Sequence, residues 1–318
     1  MKVLFLCDRN SYIAKMSRVR YHSVDAIGKI CDLTCSGNNW ASYNNDLTVQ
    51  ENIDILYADE EKPDVVVAYK PLDLNGFSDI EQTKCIRYNE MYDVEWTKKE
   101  INETSADVVL CHHLNDMKQY QEIYKDGDIK FINVPHSAEK TIFKDYGLKK
   151  QIDLLLVGSI YYESLLGNHY PLRERAANIL NKMADKYKCG IYPHPGGIHH
   201  DAHTSKYAIE FAKAINSAKI CITCSGAPRS RFGKYIEIPM CGTAIAADMP
   251  GEQQEEFSKF LIEIDMSMCD DEIIDKLSFY LDNNEERNKK IEKGLKYASQ
   301  YTQEEYAKRF VNGVKNAI

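Results

Sequence analysis

The sequence predicts an α/β protein built from two doubly wound, Rossmann-like parallel-sheet domains. Three observations carry that reading. Short apolar runs alternate with segments of helical period along most of the chain, the pattern of βαβ units. The chain has 318 residues, long for one core and sufficient for two domains of this kind. A polar, charged stretch, YGLKKQID at 146–153, separates the last strand of one half from the first strand of the next.

In the first half, strands are expected over Val3–Cys7, Asp64–Tyr69, Lys84–Tyr88, Asp107–Cys111 and Phe131–Val134, with a helix over Asp93–Thr104. In the second half they fall on Leu154–Val157, Gly190–Tyr192, Ile220–Thr223, Ala244–Ala247 and Phe260–Glu263. Helices are expected over Leu172–Lys186, Lys206–Ser217 and Asp270–Leu281. In the tail, Thr302 and Glu305 form a capping-box pattern. Tyr306, Phe310, Val311 and Val314 then share one helical face, which needs a groove to pack in. The expected division is 1–148, 149–300 and a terminal helix over 301–318.

Apolar residues make up 44% of the chain and charged residues 28%, ordinary for a globular protein. The net charge of −8 argues against nucleic acid or an anionic membrane as partner, and makes any local cluster of cations informative. No apolar run approaches the roughly 20 residues of a membrane span. The N-terminal MKVLFLCDRN is too short for a signal-peptide core and reads as the first buried strand of a cytoplasmic protein. The ten cysteines are scattered, which points to a reduced chain. Cys221 and Cys224 form a CxxC, but on a strand positions i and i+3 face opposite sides, so the pair reads as structural.

Open α/β sheets bind ligands at the carboxyl ends of their strands. Three strand ends in the second half carry suggestive residues. In LLLVGSIYY, Gly158 and Ser159 follow a strand and precede a helix with Arg173 and Arg175; a small residue there lets a ligand approach the backbone. In IYPHPGGIHHDAH, His199 and His203 have an i, i+4 metal-ligand spacing but lack the HExxH carboxylate. That stretch, with His200, reads as a polar loop near a base or sugar. His194 lies nearest the strand end.

The third is CITCSGAPRSRFGKYIEIPMCGTAIAADMPG. A strand ends at Ser225–Gly226, a loop brings Arg229 and Arg231, and a short helix brings Lys234 and Glu237. Backbone N–H groups with arginine and lysine make a site for a diphosphate. Glu237, one turn after Lys234, is placed to accept hydrogen bonds from a ribose diol. The plainer alternative is an internal Lys234–Glu237 salt bridge.

YIEIPMCGTAIAADMPG resembles the Arg-x-x-Glu-x-x-x-x-Gly segment of GT-B glycosyltransferases, and more narrowly the glycosyltransferase group 1 branch that includes the CgeB-like proteins. FINVPHSAEKTIF, DLLLVGSIYYESLLGNHYPLRERAANIL and YAIEFAKAINSAKICITCS are similar to the linker strand, the first donor-domain strand and helix, and the helix–strand pair of that branch. The resemblance covers most of the second half and implies a GT-B fold: two domains facing a cleft, with the terminal helix crossing back to the first. It implies a nucleotide-sugar donor (UDP- or GDP-sugar) in the second domain and a glycan or other hydroxyl acceptor on the first. No metal and no cofactor are expected. Glu237 would bind the ribose, and Lys234 would stand where the family usually has a diphosphate-binding arginine. Many retaining relatives carry a second glutamate eight positions earlier; here that position is Arg229, a departure that bears on the sugar contact and on retention.

Glycosyl transfer puts charge on the departing diphosphate, and cations aimed at it stabilise that state. Arg231 and Lys234 are assigned this role, supported by Arg229 and Arg173. An inverting enzyme also needs a base for the acceptor hydroxyl. First-half candidates are Asp8, Glu90, Asp93, His112 and His113, with Asp93 and His112 preferred. The alternatives are a sugar-nucleotide epimerase of the same fold or a non-catalytic nucleotide-sugar binding protein. An NAD-dependent oxidoreductase is disfavoured, because no G-x-G-x-x-G follows the first strand.

Overall fold

A computed structural model describes residues 1–10, 19–88, 93–160, 163–164, 167–192 and 206–318. The described residues form two compact units, one of residues 1–135 with 303–318 and one within 136–302.

The first unit is built on a parallel sheet of six strands: β1 (Lys2–Leu6), β2 (Asp32–Ser36), β3 (Val65–Ala68), β4 (Thr83–Arg87), β5 (Val108–Cys111) and β6 (Lys130–Asn133). Their spatial order is β2-β1-β3-β4-β5-β6. The chain reverses its direction of travel between β1 and β3, which makes that pair the switch point of the sheet. β3 reads VVVA and is buried on both faces, as a central parallel strand covered by helices must be. The sequence reading missed β2. Its DLTCS alternates weakly because it is an edge strand, largely half-buried. The terminal helix Gln303–Lys315 belongs to this unit and packs on the helix Val19–Gly28 and on β6. Tyr306, Phe310, Val311 and Val314 are buried there in one cluster with Val24 and Ile27. This is the groove that the apolar face required.

The second unit holds a parallel sheet of β7 (Ile152–Val157), β10 (Cys189–Tyr192), β11 (Ala218–Ile222), β12 (Ala244–Ala247) and β13 (Ile262–Glu263), in the order β10-β7-β11-β12-β13. Two-residue strands β8 (Glu163–Ser164) and β9 (Gly167–Asn168) pair outside it. The switch point here lies between β7 and β11. Alternation divides the core: Leu155, Val157, Cys221 and Ile245 pack on one face, Leu154, Leu156, Ile220 and Ile222 on the other. Cys221 and Cys224 fall into these two different clusters, and both are free thiols.

Residues 136–148 pack with the second unit. Phe143 meets Phe211 edge-on, and the Asn216 side chain accepts from the backbone N–H groups of Tyr146 and Leu148. The polar stretch at 146–153 is thus surface of that unit, and polarity marked exposure rather than the point where the chain passes from one unit to the other. Among the described residues no helix is long and apolar enough to cross a membrane.

Candidate functional site

The switch point of the second sheet is bridged by one side chain. Arg173 is the third residue of the helix Pro171–Met183, whose start is set by a proline at its first position. Helical side chains lean toward the N-terminus, and this one reaches back over the strand ends. Its Nη1 donates to the carbonyl of Ser159, just after β7, at 3.1 Å. Its Nη2 donates to the carbonyl of Cys224, beyond β11, at 3.4 Å. The guanidinium lies 4.0 Å from the centroid of the Tyr170 ring. Only 4% of the residue is exposed, and its Nε finds no partner among the described residues. A buried cation held by carbonyls and a ring, with no carboxylate at ion-pair distance among the described residues, has the charge that an anion site requires.

Gly158 explains how the arginine fits. Its φ is +104°, and a Cβ there would stand 2.7 Å from Arg173 Nη1. The sequence reading kept that space for the ligand's approach to the backbone; it holds the guanidinium instead. Ser159, also expected at the donor, contributes its carbonyl to Arg173.

Beyond β11 the loop is tied down by Asp248, which follows β12. Ser225 donates to it twice, from its backbone N–H at 2.7 Å and from its hydroxyl at 2.5 Å. The Tyr235 hydroxyl also donates to Asp248, through the carboxylate and the main-chain carbonyl. Ser225, expected to touch the donor, therefore spends its hydroxyl on loop geometry. Gly226, at φ +71°, lets the loop lie against His169 and Phe232, and the Ala227 N–H donates to the His169 carbonyl at 2.9 Å. Burial pushes the Cys224 thiol up to about 11, so it stays protonated beside the arginine.

The helix Lys234–Met240 follows. Tyr235, Ile236 and Ile238 are fully buried, which fixes the helix on the sheet. Lys234 Nζ and Glu237 Oε2 are 2.7 Å apart, with the carboxylate buried and the lysine side chain 22% exposed. The Nζ also lies 4.7 Å over the Phe211 ring. The internal ion pair named as the plainer alternative is thus present, in a partly buried setting rather than on a solvated face.

The two remaining cations have partners of their own. Arg231 is 1% exposed, its Nε stands 3.8 Å from Glu252, its guanidinium covers Tyr301 at 4.4 Å, and Nη2 donates to the His136 carbonyl. Its charge has a carboxylate beside it inside the unit, unlike that of Arg173, while its buried Nη1 has no hydrogen-bond partner among the described residues. Arg229 is exposed and lies in the left-handed region at φ +53°, with Nη2 donating to the Met249 carbonyl at 2.9 Å.

The two preferred bases also have partners within the first unit. Asp93 is the N-cap of the helix Val94–Thr104, and its Oδ1 accepts from the Trp96 N–H at 3.2 Å. His112 is buried after β5 with both ring nitrogens engaged: Nδ1 lies 2.9 Å from the Val134 carbonyl, and Nε2 accepts from Arg87 Nε at 2.6 Å. Neither nitrogen is left for an acceptor proton. His113 is buried at the start of the helix Leu114–Ile123, and Asp8 accepts from the Asn39 amide. His194, His199, His200, His203 and Glu90 lie outside the described residues. Among the described residues no group of three or more His, Cys, Asp or Glu is placed to hold a metal ion.

Sequence reasoning overlooked Asp248 and Arg87. Both are polar residues at the carboxyl end of a strand, and that position was the available signal. Asp248 stands in the ADMPG tract that carries the family resemblance, and Arg87 immediately precedes the YNEMYD tract with its candidate acids Glu90 and Asp93.

A family model described as glycosyl transferase-like matches residues 150–312, just over half of the chain. No curated protein matches the sequence significantly. Among solved structures, HepE from Anabaena in complex with UDP and glucose is similar with a TM-score of 0.63 at 10% identity, over 99% of this chain and 100% of that one. Sucrose-phosphate synthase from Thermosynechococcus elongatus gives 0.63 at 11%, over 99% and 98%. The pneumococcal O-GlcNAc transferase GtfA, in complex with UDP and GlcNAc, gives 0.53 at 11% over 80% of this chain, and the match spans only 56% of that longer protein. At these identities the likeness shows the fold, two Rossmann-like domains of the GT-B kind.

Proposed function

The chain belongs to the glycosyl transferase-like family, and from that premise we propose that it moves a sugar from a nucleoside-diphosphate sugar to a hydroxyl of a glycan or small-molecule acceptor. The observation that carries the donor assignment is Arg173, buried across the β7–β11 switch point without a carboxylate partner among the described residues. The diphosphate supplies the missing anion. Lys234 serves the same charge, and Glu237 exchanges its bond to Lys234 for the ribose hydroxyls. UDP is the first base to test, because UDP is bound in two of the similar structures. The acceptor is assigned to the first unit.

In the transition state the glycosyl carbon becomes oxocarbenium-like and the leaving diphosphate gains charge. A guanidinium fixed in a dry setting answers that charge with little reorganisation, and losing one such donor costs on the order of 10²–10³ in rate. The segment 235–251 supports placement in the CgeB-like branch. Metal-independent transfer of a hexosyl or deoxyhexosyl group in the cytoplasm, with no nucleic-acid partner, completes the reading. The epimerase reading is weaker, because the matching family model is that of transferases.

Thermal shift and calorimetry with UDP, GDP, ADP and CMP test the assignment. One uridine or guanosine diphosphate is expected to stabilise the protein, and Glu237→Ala to weaken that ligand at least tenfold while the far-UV spectrum is unchanged. Unaltered affinity for every nucleotide in Glu237→Ala would remove the ribose role. Epimer formation from a UDP-sugar, without transfer or hydrolysis, would replace the transferase by the epimerase.

A further inference from the structure

Arg87 is the last residue of β4, at the carboxyl end of a central strand of the first sheet. On one side Tyr69, following β3, presents its ring 5.1 Å from the guanidinium carbon. On the other side His112, following β5, accepts from Nε at 2.6 Å. The histidine's opposite nitrogen faces the Val134 carbonyl at 2.9 Å, and a carbonyl only accepts, so Nδ1 carries the proton and Nε2 offers its lone pair. The ring is therefore a neutral acceptor that orients Arg87 without matching its charge.

Both Nη atoms of Arg87 are without a hydrogen-bond partner, and no carboxylate lies within ion-pair distance, among the described residues. Three other buried or half-buried arginines differ. Arg231 has Glu252, Arg175 has Asp270, and Arg287 gives Nη1 to two helix carbonyls. A half-buried guanidinium held on edge by an aromatic ring and a neutral imidazole presents its two-pronged end, the geometry that matches a carboxylate or phosphate.

We propose that Arg87, positioned by Tyr69 and His112, binds an oxyanion of the acceptor, so that this transferase selects acceptors bearing a carboxylate or a phosphate. The proposal rests on the assignment of the acceptor to the first unit. It gives His112 a positioning role in place of the general-base role expected from its strand-end location. In a chain of net charge −8, a guanidinium without a carboxylate partner favours an acidic acceptor over its neutral analogue.

The test is calorimetric titration of the whole chain with methyl β-glucuronide, methyl β-glucoside and inorganic phosphate, with UDP titrated separately. The expected result is saturable binding of the glucuronide, the phosphate or both, with the glucoside at least tenfold weaker. Arg87→Gln should lose at least tenfold toward the anion, and Arg87→Lys should fall between, since it keeps the charge and loses the fork. A glucuronide-only response assigns a uronic-acid type of acceptor, and a phosphate-only response a phosphorylated one. UDP affinity is expected to be the same in wild type and Arg87→Gln, which also reports that the variant is folded. Neither anion binding to the wild type, or anion affinity unchanged in Arg87→Gln, overturns the inference. Absent UDP binding with anion binding intact would instead remove the donor assignment and leave the Arg87 site standing.

Discussion

Arg173, Arg229 and Arg231 look alike in the sequence, three cations near strand ends, and only their partners separate them. Arg173 faces carbonyls, Arg229 is exposed, and Arg231 is matched by Glu252. Nothing local to residue 231 announces that glutamate, because the pairing is made by the fold. Arg231→Ala takes the paired cation away from the buried Glu252 carboxylate, a cost of about 3–5 kcal/mol. Urea denaturation is expected to show that loss. Arg231→Met combined with Glu252→Leu is expected to recover most of it, because two apolar side chains replace a buried pair at little net cost. A stable Arg231→Ala protein with selectively weakened nucleotide binding would return Arg231 to the donor site.

At the scale of elements, periodicity located most of the secondary structure, and the exceptions have physical reasons. Ala244–Ala247 is found where it was expected, because a buried parallel strand is a short apolar run between polar ends. The helix Asn284–Ala298 was missed: it is rich in lysine and glutamate, and its start rests on Asn283, whose Oδ1 accepts from the Glu286 N–H at 3.2 Å. Function at strand ends is legible as position but not as partner: the sequence places Asp93 and His112 there, and only the fold shows that Asp93 caps a helix and His112 accepts from Arg87. The helix that Asp93 caps carries Glu100 on its buried face, and burial pushes that carboxyl up to about 7. A folded-state value above the unfolded one means that stability is fully present below about pH 4.5 and is lost as the pH rises toward 7. Glu100→Gln removes the charging cost. It is expected to be more stable than wild type by on the order of 2 kcal/mol at pH 8 and by nothing measurable at pH 4, read from urea midpoints. An equal gain at both pH values would mean that the charge is not what costs stability there.

At the scale of the molecule, the second unit takes its described residues from one stretch of chain, whereas the first is completed by residues 303–318. The two crossings of the second unit are tied together locally: the Ala138 N–H donates to the Tyr301 carbonyl at 2.9 Å, and Ala138 bridges to Thr302. It has a core on each face of its sheet, and it contains Arg173, Lys234, Glu237 and Asp248. The fragment 136–302 is therefore expected to fold cooperatively on its own and to bind the donor nucleotide within about tenfold of the whole chain, since a domain with its own core folds as a unit. Residues 1–135 alone are expected not to fold, because Val24 and Ile27 lose the cover of Tyr306, Phe310 and Val314. Truncating one buried phenylalanine already costs about 3–5 kcal/mol, comparable with the whole stability of a small domain. Adding a peptide of residues 303–318 should restore a cooperative transition to 1–135. A fragment 136–302 that folds but does not bind would mean that donor binding needs groups beyond those assigned in the second unit.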